Sequence, residues 1–127
     1  MIAVDTSALM AIVLDEPQAD ACISALDRDL DCVISAGTVS EALIVAGRHN
    51  VKAEVARLID GLGMEGVAVT HETARRVADA YAVWDTGIHP AGLNFGDCFA
   101  YVMAKERNCP LLFVGDDFTK TDVERAA

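Results

Sequence analysis

Ile2-Ala3-Val4-Asp5-Thr6-Ser7-Ala8-Leu9-Met10-Ala11-Ile12-Val13-Leu14 opens the chain and sets the pattern that the rest repeats. Ile2 to Val4 is a short apolar run that stops at an acid. Ala8 to Leu14 is apolar and rich in helix formers, so the stretch reads as a strand, a loop bearing a carboxylate, and a helix. Asp15, Glu16 and Pro17 end the apolar run far short of the ~18 residues that a membrane span needs. Met1 to Ser7 has no basic residue and already holds Asp5, which is not how a secretory signal begins. The expectation is a chain that starts at Met1 and works in the cytoplasm, away from any membrane.

The same alternation continues outward. Pro17 sets the first turn of a helix to about Leu26, with Ala21 or Cys22, Ala25 and Leu26 on one face. Cys32 to Ser35 reads as a second strand. Gly37 and Thr38 punctuate it before a helix over about Val39 to Gly47, where Thr38 and Glu41 have the spacing of a capping box. Val51, Val55, Leu58, Ile59 and Leu62 recur at helical spacing up to Gly63. Val67 and Val69 mark a third strand, followed by a helix from Thr73 to Trp84, a loop from Asp85 to Asn94, and a central helix from about Phe95 to Arg107. Pro110 to Val114 is a fourth strand, and Gly115, Asp116 and Asp117 follow it.

Strands separated by helices through short connections imply an α/β chain: a three-layer α/β/α arrangement around a mainly parallel sheet of four to five strands. The 127 residues make one domain over positions 1–127. Ligand sites in such sheets open at the carboxyl ends of the strands. Asp5 follows strand one and Asp116 and Asp117 follow strand four. Glu41 and Asp97 lie in the first turns of helices that open at the same edge. Each acid alone could merely cap a helix. Acids at every switch from strand to helix along one edge instead point to a shared site.

Clustered carboxylates repel, and a divalent cation offsets that charge. Mg²⁺ suits oxygen ligands and takes one or two carboxylates directly and others through water; Mn²⁺ is the alternative. Such a site hydrolyses phosphodiesters by in-line attack and leaves a 5′ phosphate. The net charge of −10 argues against holding nucleic acid with a broad basic patch, though not against an enzyme that reaches phosphate through a metal. Cys22, Cys32, Cys98 and Cys109 are scattered and read as reduced, mostly buried thiols.

Four segments carry a family resemblance over essentially the whole chain: IAVDTSAL at the start, TVSEAL at 38–43, HPAGLNFGDCFAYVMA at 89–104 and PLLFVGDDFTKTDV at 110–123. The last two are the specific ones. The chain resembles a PIN domain, and within that family the VapC toxins of bacterial VapBC pairs. The resemblance implies a metal-dependent endoribonuclease that cleaves tRNA, rRNA or mRNA and inhibits translation. It implies Asp5, Glu41, Asp97 and Asp116 as catalytic acids, with Asp117 joining them around the metal. Asp117 and Asp122 lie close enough to Asp116 to be confused with it, and Thr6 or Ser7 would bond a carboxylate or a metal-bound water. It further implies a VapB-type antitoxin as partner, an RNA substrate, a homodimer and a toxin-antitoxin hetero-oligomer. The helices over Ala8 to Leu26 and Val51 to Leu62 are the candidate antitoxin groove.

The resemblance departs at Val83 to Ile88, where relatives often carry Lys or Arg and this chain has no basic residue. Arg48, Lys52, Arg75, Arg76, Lys105 and Lys120 are the cations left to position RNA. The alternative function is a catalytically inert PIN scaffold that only binds protein or RNA. A receiver domain expects paired acids after strand one and a lysine after a late strand. A haloacid-dehalogenase-type phosphatase expects D-x-D where the chain has Asp5-Thr6-Ser7. Neither pattern is present.

Overall fold

The computed structural model describes residues 1–85, 87 and 89–127. The loop reading at Thr86 and Ile88 lies outside the described residues. The chain runs β1 (Ile2–Val4), α1 (Thr6–Val13), α2 (Ala19–Arg28), β2 (Cys32–Ser35), α3 (Ala36–Arg48), α4 (Lys52–Gly61), β3 (Glu65–Val67), α5 (His71–Trp84), α6 (Phe95–Glu106) and β4 (Leu111–Leu112). The strands form one sheet in the order β3-β2-β1-β4, and every pair is parallel.

Side chains of successive strand residues point to opposite faces, and this alternation divides the core in two. Ile2, Val4, Cys32, Ile34 and Leu112 pack on one face with residues of α1 to α4, among them Leu9, Leu26 and Val55. Ala3, Val33, Leu111 and Phe113 pack on the other with residues of α5 and α6. The three-layer α/β/α expectation is what the structure has. Each large apolar side chain so buried contributes about 1.5–3 kcal/mol, and β1 and β2, buried on both faces and paired on both edges, are the protected centre of the sheet. After β4 the chain returns beside it: Leu111 N donates to Glu124 O and Ala126 N to Leu111 O, both at 2.9 Å. The fifth strand is thus reduced to one parallel bridge between Leu111 and Arg125, which covers the open edge of β4.

Three local expectations need correction. α3 starts at Ala36, three residues early, because Ser35 caps it by accepting from Gly37 N. Thr38 is therefore inside the helix and fully buried, and it forms no capping box with Glu41. β3 covers Glu65–Val67 rather than Val67 to Val69, because its register is set by pairing with Val33, Ile34 and Ser35 of β2. A capping box does occur, unanticipated, at the start of α6 between Asn94 and Asp97. Among the described residues, no helix is long and apolar enough to cross a membrane.

Candidate active site

The sheet order creates the site. β1, β2 and β3 extend one way, and β4 lies on the other side of β1, so the chain reverses direction between β1 and β4. Crevices at the carboxyl ends of strands open at such a reversal. A cavity of about 340 Å³ lies there, lined by Asp5, Thr6, Ser7, Met10, Glu16, Glu41, Val45, Asp97, Val114, Asp117 and Phe118.

Asp5 leaves β1 as the N-cap of α1. Its Oδ2 accepts from Ser7 N at 3.0 Å and from Ser7 Oγ at 2.6 Å. Ser7 Oγ in turn accepts from Val114 N at 3.0 Å, which fixes the end of α1 against the chain leaving β4. Asp5 Oδ1 is buried with no hydrogen-bond partner among the described residues. Burial pushes the Asp5 carboxyl up to about 6; the Ser7 bonds pull it down and the Glu41 charge adds to the rise.

Glu41 projects from α3, and its Oε1 accepts from Thr6 Oγ1 at 2.6 Å. Asp97 sits in the first turn of α6, where its Oδ2 accepts from Asn94 N at 3.0 Å. Burial pushes Asp97 up to about 7, against the Asn94 N–H, and the charges of Asp5, Asp117 and Glu41 raise it further. Desolvated acids whose charges raise one another store repulsion that a cation would relieve.

The acids named from the sequence divide at the fourth position. Asp5, Glu41, Asp97 and Asp117 line the cavity, whereas Asp116 is not among its lining residues. Asp116 is exposed, and its carbonyl accepts from Thr119 N and Oγ1 in the turn after Gly115. Buried Phe118 anchors that turn. Asp122 is engaged elsewhere, accepting from Tyr101 Oη at 2.5 Å and pairing with Lys105 at 3.1 Å. Glu16 lines the cavity without having been anticipated; a sequence ending a helix gives no sign that its next turn folds back. Asn94 had a visible signal in its spacing to Asp97.

The polar side chains of the lining offer carboxylate and hydroxyl oxygens, the set a hard cation takes, and among the described residues Asp5 Oδ1 is an acceptor without a donor. Among the described residues, no three His, Cys, Asp or Glu side chains stand close enough to form a ready ligand set. Any cation here would bind few carboxylates directly and the rest through water.

Of the cations available to position RNA, Arg76 pairs with Glu72 and Glu106 and Lys105 with Asp122. Arg48 instead lines a second groove of about 720 Å³, bordered by exposed Ile44, Val69 and Phe95, which shares Glu41 and Val45 with the acid cavity. His89 stacks edge-on against Trp84 at 4.6 Å, its Nδ1 accepts from Ala91 N, and it is not among the residues lining the acid cavity. All four cysteines are free, and Cys22, Cys32 and Cys98 are buried.

The family model described as PIN domain matches residues 2–124. Ribonuclease VapC42 of Mycobacterium tuberculosis is 41% identical over 128 residues, covering 97% of each chain. Ribonuclease VapC30 of the same organism is 36% identical over 127 residues, covering 98% of this chain and 97% of the relative. Among solved structures, the Mycobacterium tuberculosis toxin VapC20, described as cleaving the sarcin-ricin loop, superposes with a TM-score of 0.80. It is 13% identical and matches over 97% of this chain and 96% of its own. At that identity the likeness speaks to the fold.

Proposed function

The chain belongs to the PIN domain family and, within it, to the VapC ribonucleases, and on that premise we propose that it is the RNA-cleaving toxin of a toxin-antitoxin pair. The single observation that carries the reading is the convergence of Asp5, Glu41, Asp97 and Asp117 on one cavity at the carboxyl ends of β1 and β4. The reaction is metal-dependent hydrolysis of an RNA phosphodiester, and its consequence in the cell is arrested translation.

Asp5 and Asp97 would hold Mg²⁺, or Mn²⁺, with Glu41 and Asp117 reaching it through water. When bound, the cation supplies Lewis acidity to the scissile phosphate and to the leaving 3′ oxygen. The chain's own residues do the positioning. Ser7 fixes one oxygen of Asp5 and leaves the other open. Thr6 holds Glu41 Oε1, and Asn94 holds Asp97. Preorganised acids of this kind cost no rearrangement when substrate arrives.

A VapB-type antitoxin is the partner that would silence it. Exposed Leu14, Ile23 and Leu30 on and beside α1 and α2 support an apolar docking face there, with α4 packed beside α1. Exposed Ile44 and Phe95 support a homodimer contact, and the two together make a toxin-antitoxin hetero-oligomer. The second reading, an inert scaffold, is favoured by one observation: the described acids form no ready ligand set.

Induced expression in a bacterial host separates the two. The nuclease reading expects growth arrest, discrete fragments in extracted RNA, and rescue by Asp5→Asn or by co-expressed antitoxin. Unimpaired growth with abundant folded protein and intact RNA favours the scaffold.

A further inference from the structure

Helices α3 and α6 approach each other through two glycines, one on each. A Cβ placed on Gly37 of α3 would overlap the Phe99 ring of α6, and a Cβ placed on Gly96 of α6 would overlap the Glu41 carboxylate of α3. Neither glycine has the positive φ of Gly63, Gly92 or Gly115, so the backbone itself demands glycine at neither position. Gly96 is the second residue of α6, where alanine is the better helix former. What Gly96 supplies is space.

The two overlaps differ in what they would move. Phe99 is a ring packed against the core, so a side chain at 37 would push the helices apart. At 96 the obstructed atoms are the far end of one flexible side chain. A side chain there leaves the helices alone and displaces the Glu41 carboxylate, which Thr6 holds from the other side. We propose that Gly96 is a positioning residue for Glu41: the missing side chain lets the carboxylate settle against the first turn of α6, next to Asp97. The inference rests on the nuclease reading for its consequence in catalysis, and on geometry alone for the placement.

The test compares wild type, Gly96→Ala, Glu41→Asp and the double variant. Gly96→Ala is expected to unfold close to the wild-type temperature, since the better helix propensity of alanine offsets the lost Thr6 hydrogen bond. Its Mg²⁺-dependent kcat on RNA is expected to fall about a hundredfold, the loss typical of a misplacement near 1 Å. Glu41→Asp, one methylene shorter, should lower activity on its own yet raise it in the Gly96→Ala background. A crystal structure of metal-free Gly96→Ala reads the placement directly, with the Thr6–Glu41 hydrogen bond lost.

Glu41 unmoved in that crystal structure overturns the inference, whatever the wild type does to RNA. Wild-type cleavage by Gly96→Ala overturns it, as does equal damage from Glu41→Asp in both backgrounds or marked loss of stability in Gly96→Ala. Glu41 displaced in a protein whose wild type never cuts RNA upholds the placement and sinks the nuclease reading alone.

Discussion

Thr6 Oγ1 donates a 2.6 Å hydrogen bond to Glu41 Oε1, tying the first turn of α1 to α3 across the mouth of the acid cavity. Thr6 is buried and Glu41 half-buried, so the bond is partly shielded from competing water. Thr6→Val keeps the shape and removes the donor. The expected outcome is a stability loss of about 1 kcal/mol by chemical denaturation, together with a kcat for RNA cleavage at least tenfold lower while KM changes little.

Ser7 performs two tasks at once, donating to Asp5 Oδ2 and accepting from Val114 N. Ser7→Ala leaves the Val114 N–H without a partner in a half-buried position. An unpaired buried group costs about 1–3 kcal/mol, and that range is expected from urea unfolding. The lost hydrogen bond also releases Asp5 to rise above about 6. The acid limb of the pH–rate profile should move to higher pH.

Stability of the metal-free protein should fall as pH rises. Asp5 goes from 3.8 to about 6 on folding and Asp97 from 3.8 to about 7. Both acids bind protons more tightly folded than unfolded. Their contribution is fully present below about pH 4 and is lost as pH rises through about 6 and 7. One pKa unit is about 1.4 kcal/mol, so the Asp5 shift alone is on the order of 3 kcal/mol. Urea midpoints at pH 5 and pH 8 check this. Asp5→Asn should flatten the slope, and saturating Mg²⁺ should restore stability at pH 8; a midpoint that climbs with pH would refute the electrostatic account.

The three aspartates after β4 should behave differently. Asp117 lines the cavity and raises Asp97, while Asp116 lies outside the cavity lining and Asp122 is tied to Tyr101 and Lys105. Asp117→Asn is expected to weaken Mn²⁺ binding and cleavage about tenfold or more. Asp116→Asn and Asp122→Asn should cut RNA at close to the wild-type rate, measured side by side on one substrate.

The order of elements and the convergence of Asp5, Glu41 and Asp97 were legible because apolar period and chain punctuation are local signals. β1 announces itself by an apolar run broken at Asp5, and α6 by a long apolar stretch behind Asn94. The start of α3 is ambiguous in the sequence because both Ser35 and Thr38 can cap, and strand pairing upstream decides for Ser35. The choice between Asp116 and Asp117 was hidden because adjacent acids in a turn are equivalent until Phe118 is buried and the turn's direction is set. Gly96 was silent for a related reason: its meaning lies in a side chain 55 positions away, Glu41.

Purified, partner-free protein incubated with total RNA decides whether the chain is a metal-dependent nuclease, with Mg²⁺, with Mn²⁺, with EDTA, and beside Asp5→Asn. Discrete fragments bearing 5′ phosphates, formed only when both a divalent cation and Asp5 are present, are the expected result. Intact RNA in every lane, or cleavage that survives EDTA or the loss of the Asp5 charge, would contradict it.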